Sequence, residues 1–251
     1  MIEPWLYPVL TATAVVSGFV DAVAGGGALI AIPALLYAGL PPLHALGTNK
    51  LQSLFGNMTA LANYSRSGLV DWRGNRLAVL MAFAGGGLGA WAVQSIEARL
   101  LHLIIPALLM VAALYVLLSP RMTDEDAHQR LTPACYAPVG GAISFYDGFF
   151  GPGASTFFAT SLVALRGYGL TRATALTKLL NLTAILASVI LFAIGGHVAW
   201  LLGLCMGAGS IAGGWLGSHS ALRFGARLIR PLLVLISLGL TGRLLWGYFA
   251  G

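Results

Sequence analysis

Charged side chains are scarce in this chain, and lysine is nearly absent. Only 9% of the 251 residues are charged and 58% are hydrophobic, and the mean hydropathy is +0.84. An ordinary globular domain carries about 25% charged residues, so the composition predicts a polytopic membrane protein. The net charge of +6 comes mainly from arginines between the apolar segments. This pattern indicates membrane topology and argues against a nucleic-acid surface.

Cysteine is also scarce, and catalytic motifs are missing. Cys135 and Cys205 lie in apolar sequence without a paired spacing, so the sequence predicts neither a disulfide framework nor a metal site. No nucleophile–base constellation is present, so we expect neither an enzyme nor a cofactor. We expect no cleavable signal peptide, because Glu3 and no Lys or Arg precedes the first apolar run.

The chain contains an internal repeat. A shift of 128 residues superposes Lys50 on Lys178, and a shift of 126 superposes Asp21 on Asp147. Glycines follow the same shifts, with residues 85–86 matching 213–214 and 25–28 matching 151–154. Charged residues and glycines rarely fall in register by chance. The sequence therefore predicts a first membrane repeat over residues 1–118, a cytoplasmic linker over 119–131 and a second repeat over 132–251.

Each half is predicted to contain five helical segments. They span residues 5–24, 28–40, 43–65, 75–96 and 99–118, then 132–150, 154–166, 171–195, 198–219 and 228–250. The second and seventh segments are shorter than the roughly 20 apolar residues that a crossing helix needs. Each follows a glycine break, at 25–27 or 151–153. They are expected to be short or broken helices.

The arginines indicate how the segments cross the membrane. If the short segments count as crossings, ten loop arginines fall on one side and only Arg99 falls on the other. If they do not count, the same residues split almost evenly. The positive-inside rule favours the first arrangement. It predicts an all-α membrane protein built from two inverted repeats, with both termini outside the cytoplasm.

Lys50 and Lys178 are the most informative residues in this arrangement. Each enters its segment about two turns from an end, and the inversion brings both lysines near the bilayer midplane. A charge there costs at least about 2.5–3.5 kcal/mol, so each lysine needs a partner. A small anion bound by both is one interpretation. An ion pair with Asp21 and Asp147 is the other, and for these aspartates gating, helix capping and protonation also stay open.

The glycine breaks and nearby polar residues extend the candidate site. A helix that starts after a glycine run directs free N–H groups at a ligand, which involves Gly26, Gly27 and Ala28 and, in the second half, Gly153, Ala154 and Ser155. Helical spacing places polar side chains on the faces of the lysines: Ser53 and Asn57, and Thr174 and Asn181. Asn49 and Thr177 are added as the sequence neighbours of the two lysines. The glycines could instead pack helices, and the polar side chains could join helices by hydrogen bonds.

Several of these motifs resemble a known family. The run GFVDAVAGGGA at 18–28, Pro33, ALGTNK at 45–50 and their echo after residue 144 are similar to the TauE/SafE-type sulfite exporters, which are 4-toluene sulfonate uptake permease-like membrane transporters. The resemblance covers about residues 10–247, although Gly-Pro-Gly replaces the glycine triplet in the second half. It implies a cell inner-membrane carrier, often an exporter, of small sulfur-containing anions such as sulfite, sulfoacetate or other organosulfonates.

The expected mechanism is alternating access around a midplane site. The substrate oxygens would lie between Lys50 and Lys178, near the backbone of the two glycine breaks. An anion-selective channel and a carrier of a different small organic anion are the alternatives. The expected partners are the anion and the lipid bilayer, with no nucleic acid, and the sequence leaves a homodimer open.

Overall fold

The computed structural model describes residues 3–118, 125, 126 and 130–224. Within these residues the chain forms nine α-helices and no strand. They are α1 (Leu6–Ala24), α2 (Ala28–Tyr37), α3 (Pro42–Arg66), α4 (Arg76–Gln94), α5 (Ala98–Leu118), α6 (Pro133–Phe149), α7 (Ala154–Arg166), α8 (Leu170–Ile194) and α9 (Trp200–Phe224). The predicted all-α fold is confirmed. The predicted segment 228–250 and most of the 119–131 linker lie outside the described residues.

The predicted short helices exist and begin where the glycine breaks were expected. Helix α2 has 10 residues and α7 has 13. Gly25 ends α1 with a φ of 76°, and its amide donates to the carbonyl groups of Val20 and Asp21. This left-handed conformation favours glycine because it has no Cβ. The break therefore turns the chain between Asp21 and the start of α2.

Small residues let the long helices pack closely, in the same way in both halves. Gly213 of α9 lies against the Val15 carbonyl of α1, and Gly85 of α4 lies against the Gly141 carbonyl of α6. Val15 and Gly141 are equivalent in the repeat, as are the two glycines that touch them. Such backbone contact between helices is typical of membrane proteins.

The two longest equivalent helices, α3 and α8, pack side by side in opposite directions. Leu46 near the start of α3 belongs to one apolar cluster with Phe192 near the end of α8. Tyr64 near the end of α3 belongs to another with Leu170 at the start of α8. Lys50 and Lys178 each lie eight residues after the first residue of their helix.

The surface of the bundle suits a lipid environment. Four of the described helices, α1, α4, α8 and α9, are long and apolar enough to cross a membrane by length and composition. Large apolar side chains project outward from them, with Leu80 66% exposed and Leu201 65% exposed. Water would disfavour so much exposed apolar surface, whereas lipid tails solvate it. The chain is therefore a multi-pass membrane protein.

Adjacent glycines in α4 provide a test of the packing. A Cβ added at Gly86 would lie 2.5 Å from the Ala184 carbonyl oxygen, whereas one at Gly87 would lie 3.8 Å from the nearest atom, the Ala187 Cβ. We expect Gly86→Ala to destabilise the protein by about 1–3 kcal/mol through overpacking. Gly87→Ala should be neutral or slightly stabilising, since alanine favours helix. Thermal unfolding of the detergent-purified variants measures the difference, and equal melting temperatures would contradict the close α4–α8 contact.

Candidate functional site

Two buried ion pairs lie where the halves meet. The Lys50 Nζ is 2.8 Å from Asp147 Oδ1, and the Lys178 Nζ is 3.2 Å from Asp21 Oδ2. Each ammonium also donates to the backbone carbonyl of the same aspartate. The partners are therefore exchanged, since each lysine pairs with the aspartate of the other half.

The pairing follows from the burial of the groups. The side chains of Lys50 and Asp147 are each 3% exposed, and that of Lys178 is 1% exposed. A buried ion is tolerated when its counter-charge and hydrogen bonds offset the loss of hydration. The ion-pair alternative that the sequence left open is therefore present in this structure. Asp21 differs from the other three groups because its side chain is 18% exposed.

An asparagine of its own half holds each aspartate. Asn57 Nδ2 donates to Asp21 Oδ2 at 2.8 Å, and Asn181 Nδ2 donates to Asp147 Oδ2 at 3.0 Å. The two asparagines lie at different positions in the repeat, yet they make the same kind of contact. Each carboxylate is thus bound by a lysine from the opposite half and an amide from its own half.

The second glycine break brings backbone against Lys50. Gly151 has a φ of 101°, and a Cβ added there would lie 2.9 Å from the Lys50 Nζ. A side chain at this position would compete with the ammonium for space, so the approach requires glycine. The Tyr146 hydroxyl fixes the break by donating to the Pro152 carbonyl at 2.7 Å.

Among the described residues, both short helices begin with unbonded amides, of which those of Ala28 and Ser155 belong to residues that line the Lys50-containing cavity. In the part of the chain that the structure describes, the amides of Gly26, Gly27 and Ala28 donate no hydrogen bond, and neither do those of Gly153 and Ser155. These are the first amides of α2 and α7 or the residues just before them. Free N–H groups at a helix N-terminus favour anions.

The first glycine break also touches the second short helix. Gly25, at the end of α1, lies against the side chain of Ser155 in the first turn of α7. Thr156 Oγ1 donates to the Ala24 carbonyl at 3.4 Å. The contact joins the break of one half to the short helix of the other.

Two adjoining cavities share this contact. The first contains Lys50 and both aspartates, and we call it the Lys50 cavity. Its lining residues are Asp21, Gly25, Ala28, Asn49, Lys50, Ser53, Asn57, Asp147, Gly151, Ser155, Asn181 and Ile185. The second contains Lys178, Thr174 and Thr177 and also touches Gly25 and Ser155. We call it the Lys178 cavity.

Most of the predicted site residues lie around these two cavities. Those lining the Lys50 cavity are Asp21, Ala28, Asn49, Lys50, Ser53, Asn57, Asp147, Ser155 and Asn181, and those lining the Lys178 cavity are Ser155, Thr174, Thr177 and Lys178. Gly26, Gly27, Gly153 and Ala154 line neither cavity. The lysines were expected around one common space, whereas in this structure each lines its own cavity. Their joint binding of one anion stays a prediction.

Three residues that line the Lys50 cavity were not predicted as anion contacts: Gly25, Gly151 and Ile185. Gly25 and Gly151 are the first glycines of their breaks, whereas the predicted contacts are the later residues of each break. Gly25 and Gly151 are equivalent in the repeat, and this equivalence could have indicated that both line the site. Ile185 had no signal of its own, although it is the repeat equivalent of Asn57.

The exchanged pairing provides a stability test. Lys50→Met leaves Asp147 without its counter-charge, and breaking one partner of a buried pair costs about 3–5 kcal/mol. The cognate double variant Lys50→Met/Asp147→Asn removes both charges and should recover much of the loss. We expect a strong non-additivity in this pair, measured by thermal or denaturant unfolding.

The mismatched double variant Lys50→Met/Asp21→Asn is the control. It breaks both ion pairs and leaves one unpaired lysine and one unpaired aspartate. Its destabilisation should approach the sum of the two single losses. Recovery in the mismatched variant instead of the cognate one would show that the pairs are not exchanged between the halves.

Known proteins resemble this chain over nearly its whole length. The family model described as Sulfite exporter TauE/SafE matches residues 10–244. The "Probable membrane transporter protein YfcA" of Escherichia coli K12 is 41% identical over 98% of this chain and 92% of its own length. The "Probable membrane transporter protein ORF9" of a Sinorhizobium species is 44% identical over 94% of this chain and 91% of its own length. No solved structure matches the chain.

The resemblance inferred from the glycine break and the ALGTNK motif is therefore confirmed. The family description and the names of these relatives indicate a transporter, not an enzyme. The multi-helix fold with lipid-facing apolar surface agrees with that class of protein. This chain belongs to the TauE/SafE sulfite exporter family.

Proposed function

We propose that this protein is an inner-membrane carrier, working as an exporter, of small sulfur-containing anions such as sulfite and organosulfonates. The observation that carries the proposal is the pair of buried, exchanged Lys–Asp contacts beside two helix N-termini. The substrate binds in the Lys50 cavity, reaches Lys178 across the Gly25–Ser155 contact, and moves by alternating access.

The chemistry of the site suits an oxyanion. Lys50 and Lys178 supply charged donors, and the amides of Ala28 and Ser155 supply neutral donors where the positive ends of two helix dipoles converge. Ser53, Asn57 and Asn181 add side-chain donors on the cavity wall. A sulfonate or sulfite carries three oxygens, which can accept several of these hydrogen bonds at once. Charge-assisted bonds to such oxygens are the strong ones.

The closed shape of the site favours a carrier over a channel. The Lys50 cavity has space for little more than a water molecule or two between its walls. A sulfonate therefore enters only if the ion pairs separate and the helices around them move. A mechanism that must open for each substrate is that of a carrier, whereas a channel offers a continuous path.

Two inverted halves would supply this motion. The opposite directions of α3 and α8, the exchanged ion pairs and the equivalent glycine contacts of α4 and α9 all support such an arrangement. In an inverted repeat, one half can adopt the conformation of the other, which moves the opening from one face to the opposite face. The ion pairs lie on the boundary between the halves, so they would break and re-form during this exchange.

The positions of the arginines support the proposed orientation. The apolar cluster around Tyr64, Leu170 and Ala221 joins the end of α3, the start of α8 and the end of α9. Arg66, Arg172 and Arg223 lie at these helix ends. Arg99 lies instead at the start of α5, next to Leu101, which packs with Leu46 and Phe192. The positive-inside rule assigns the arginine-rich end to the cytoplasm.

The lysines test the substrate site directly. Lys50→Met or Lys178→Met should each lower the affinity for sulfite and methanesulfonate at least about tenfold, since a charge-assisted hydrogen bond contributes about 1.5–3 kcal/mol. The Lys50→Met/Lys178→Met variant should lose little more, because groups that clamp one ligand act as a unit. Calorimetric titration of purified protein at low temperature measures the affinities of folded material.

Arg99→Met is the matched control for these variants. It removes one cation at an exposed position outside both cavities and should leave the affinity unchanged. Normal sulfonate binding by both folded lysine variants would mean that the lysines serve only the scaffold. Saturable, slow flux in proteoliposomes is expected for the wild type, and ohmic conduction would instead indicate a channel.

The orientation has its own test by cysteine labelling. In a background with Cys135→Ser and Cys205→Ser, we expect Glu97→Cys to react with an impermeant maleimide in intact spheroplasts. Arg73→Cys should react only in inverted vesicles, because it lies in the α3–α4 loop at the arginine-rich end. Both positions are exposed. The reverse labelling pattern would contradict the proposed orientation, and labelling of both from one face would contradict an odd number of crossings between them.

A further inference from the structure

The buried charges of the site cancel. Lys50 and Lys178 contribute two positive charges, and Asp21 and Asp147 contribute two negative charges. Among the described residues, no other lysine, arginine, aspartate or glutamate lines either cavity. An anion that enters the Lys50 cavity therefore meets two carboxylates as well as the ammonium. With all four groups ionised, a bound monoanion would leave the cluster with a net charge of −1.

An uncompensated charge in this position is unfavourable. Each ammonium gives two of its three N–H donors to a carboxylate and a backbone carbonyl, so it has one donor left for an anion while it stays against the carboxylate. The anion must displace a carboxylate, and that carboxylate then loses its counter-charge inside the bundle. A buried carboxylate without a counter-charge binds a proton instead of remaining ionised.

Asp147 is the buried carboxylate that loses its counter-charge when an anion binds Lys50. Its side chain is 3% exposed, and its charged partner is Lys50, the lysine that lines the same cavity. The groups that face it are Lys50 on α3 and Asn181 on α8, with the Lys178–Asp21 pair beyond them. Once Lys50 turns to the substrate, only the neutral amide of Asn181 remains at its carboxylate.

Asp21 is in a different situation. It is 18% exposed, and both Lys178 and Asn57 donate to its Oδ2. Lys178 lines the other cavity and gives two of its three N–H donors to Asp21. Its third donor can contact an anion bound at Lys50 while the Lys178–Asp21 pair stays in place. Partial hydration and a retained counter-charge keep a carboxylate ionised.

We propose that Asp147 is a proton-binding site and that the protein carries one proton with each monoanionic substrate. The proton comes from water on the side to which the site is open, binds the Asp147 carboxylate as the anion replaces it at Lys50, and leaves when the pair re-forms. The loaded cluster then has a net charge of zero, as the empty one has. This inference rests on the anion site of the proposed function and names its coupling ion.

The test measures proton uptake during ligand binding. Methanesulfonate is the probe, with ethanesulfonate as a second sulfonate, because each is a monoanion that stays ionised near neutral pH and cannot bring the proton itself, as hydrogen sulfite can. Calorimetric titration in two buffers of different ionisation enthalpy gives the number of protons bound, which should approach one per methanesulfonate. Where Asp147 is ionised in the free protein, affinity should fall about tenfold for each unit of rising pH, the slope that one linked proton requires.

Variants assign the proton to one residue. Asp147→Asn mimics the protonated carboxyl group, so it should bind methanesulfonate with no proton uptake and with an affinity independent of pH. Asp126→Asn is the matched control, because it removes an exposed carboxylate outside both cavities, and it should still take up about one proton. Proton uptake that persists in Asp147→Asn would overturn the assignment to Asp147.

Titrations of the wild-type protein test the proposal even if a variant fails to fold. Binding of methanesulfonate without proton uptake, at an affinity that does not change with pH, would overturn the coupling and leave the anion site standing. Failure of the wild type to bind sulfite or either sulfonate would instead overturn the proposed function. The two failures are thus distinguishable in one set of titrations.

Discussion

The requirement that a lysine inside a membrane protein must find a counter-charge organises this structure. Lys50 and Lys178 lie deep in α3 and α8, and each obtains its counter-charge from the opposite half. The aspartates must therefore lie at the ends of α1 and α6 that reach the centre of the bundle. The helix breaks that follow them turn the chain there and bring free amides to the same place.

Close packing of the neighbouring helices supports the ion pairs. The ammonium groups donate to the backbone carbonyls of the aspartates as well as to their side chains, so α3 must lie within the reach of a lysine side chain from α6, and α8 from α1. Glycines in α4 and α9 hold these helices in place at Gly86, Gly89, Gly214 and Gly217, where added Cβ atoms would meet the backbones of α8, α6, α3 and α1. The glycine repeats of α4 and α9 thus hold the helices on which the exchanged pairs depend.

The sequence was sufficient to predict the helices because hydrophobic length and glycine breaks are local signals. Most predicted bounds fall within two residues of the structure, and α9 extends further, to Phe224, because no breaker follows His219. The position of Lys50, about two turns inside its helix, could also be predicted from the sequence. The division into two cavities was not, since it depends on the contact between Gly25 and Ser155, and residues 130 positions apart carry no common pattern. The choice between ion pair and anion contact also depends on distances that spacing alone does not fix.

The choice of lysine over arginine has a physical explanation in this arrangement. Arginine binds a carboxylate through two parallel hydrogen bonds of fixed geometry, and such a pair would resist separation. An ammonium is a compact charge on a flexible stem with three rotatable donors, so in the proposed mechanism it turns from the Asp147 carboxylate to a substrate oxygen by a small movement. A carrier needs a resting contact that is strong enough to close the empty site and weak enough to be exchanged. A buried lysine pair suits both conditions of the proposed mechanism, whereas the arginines among the described residues lie mainly near helix ends, where no exchange of partner is required.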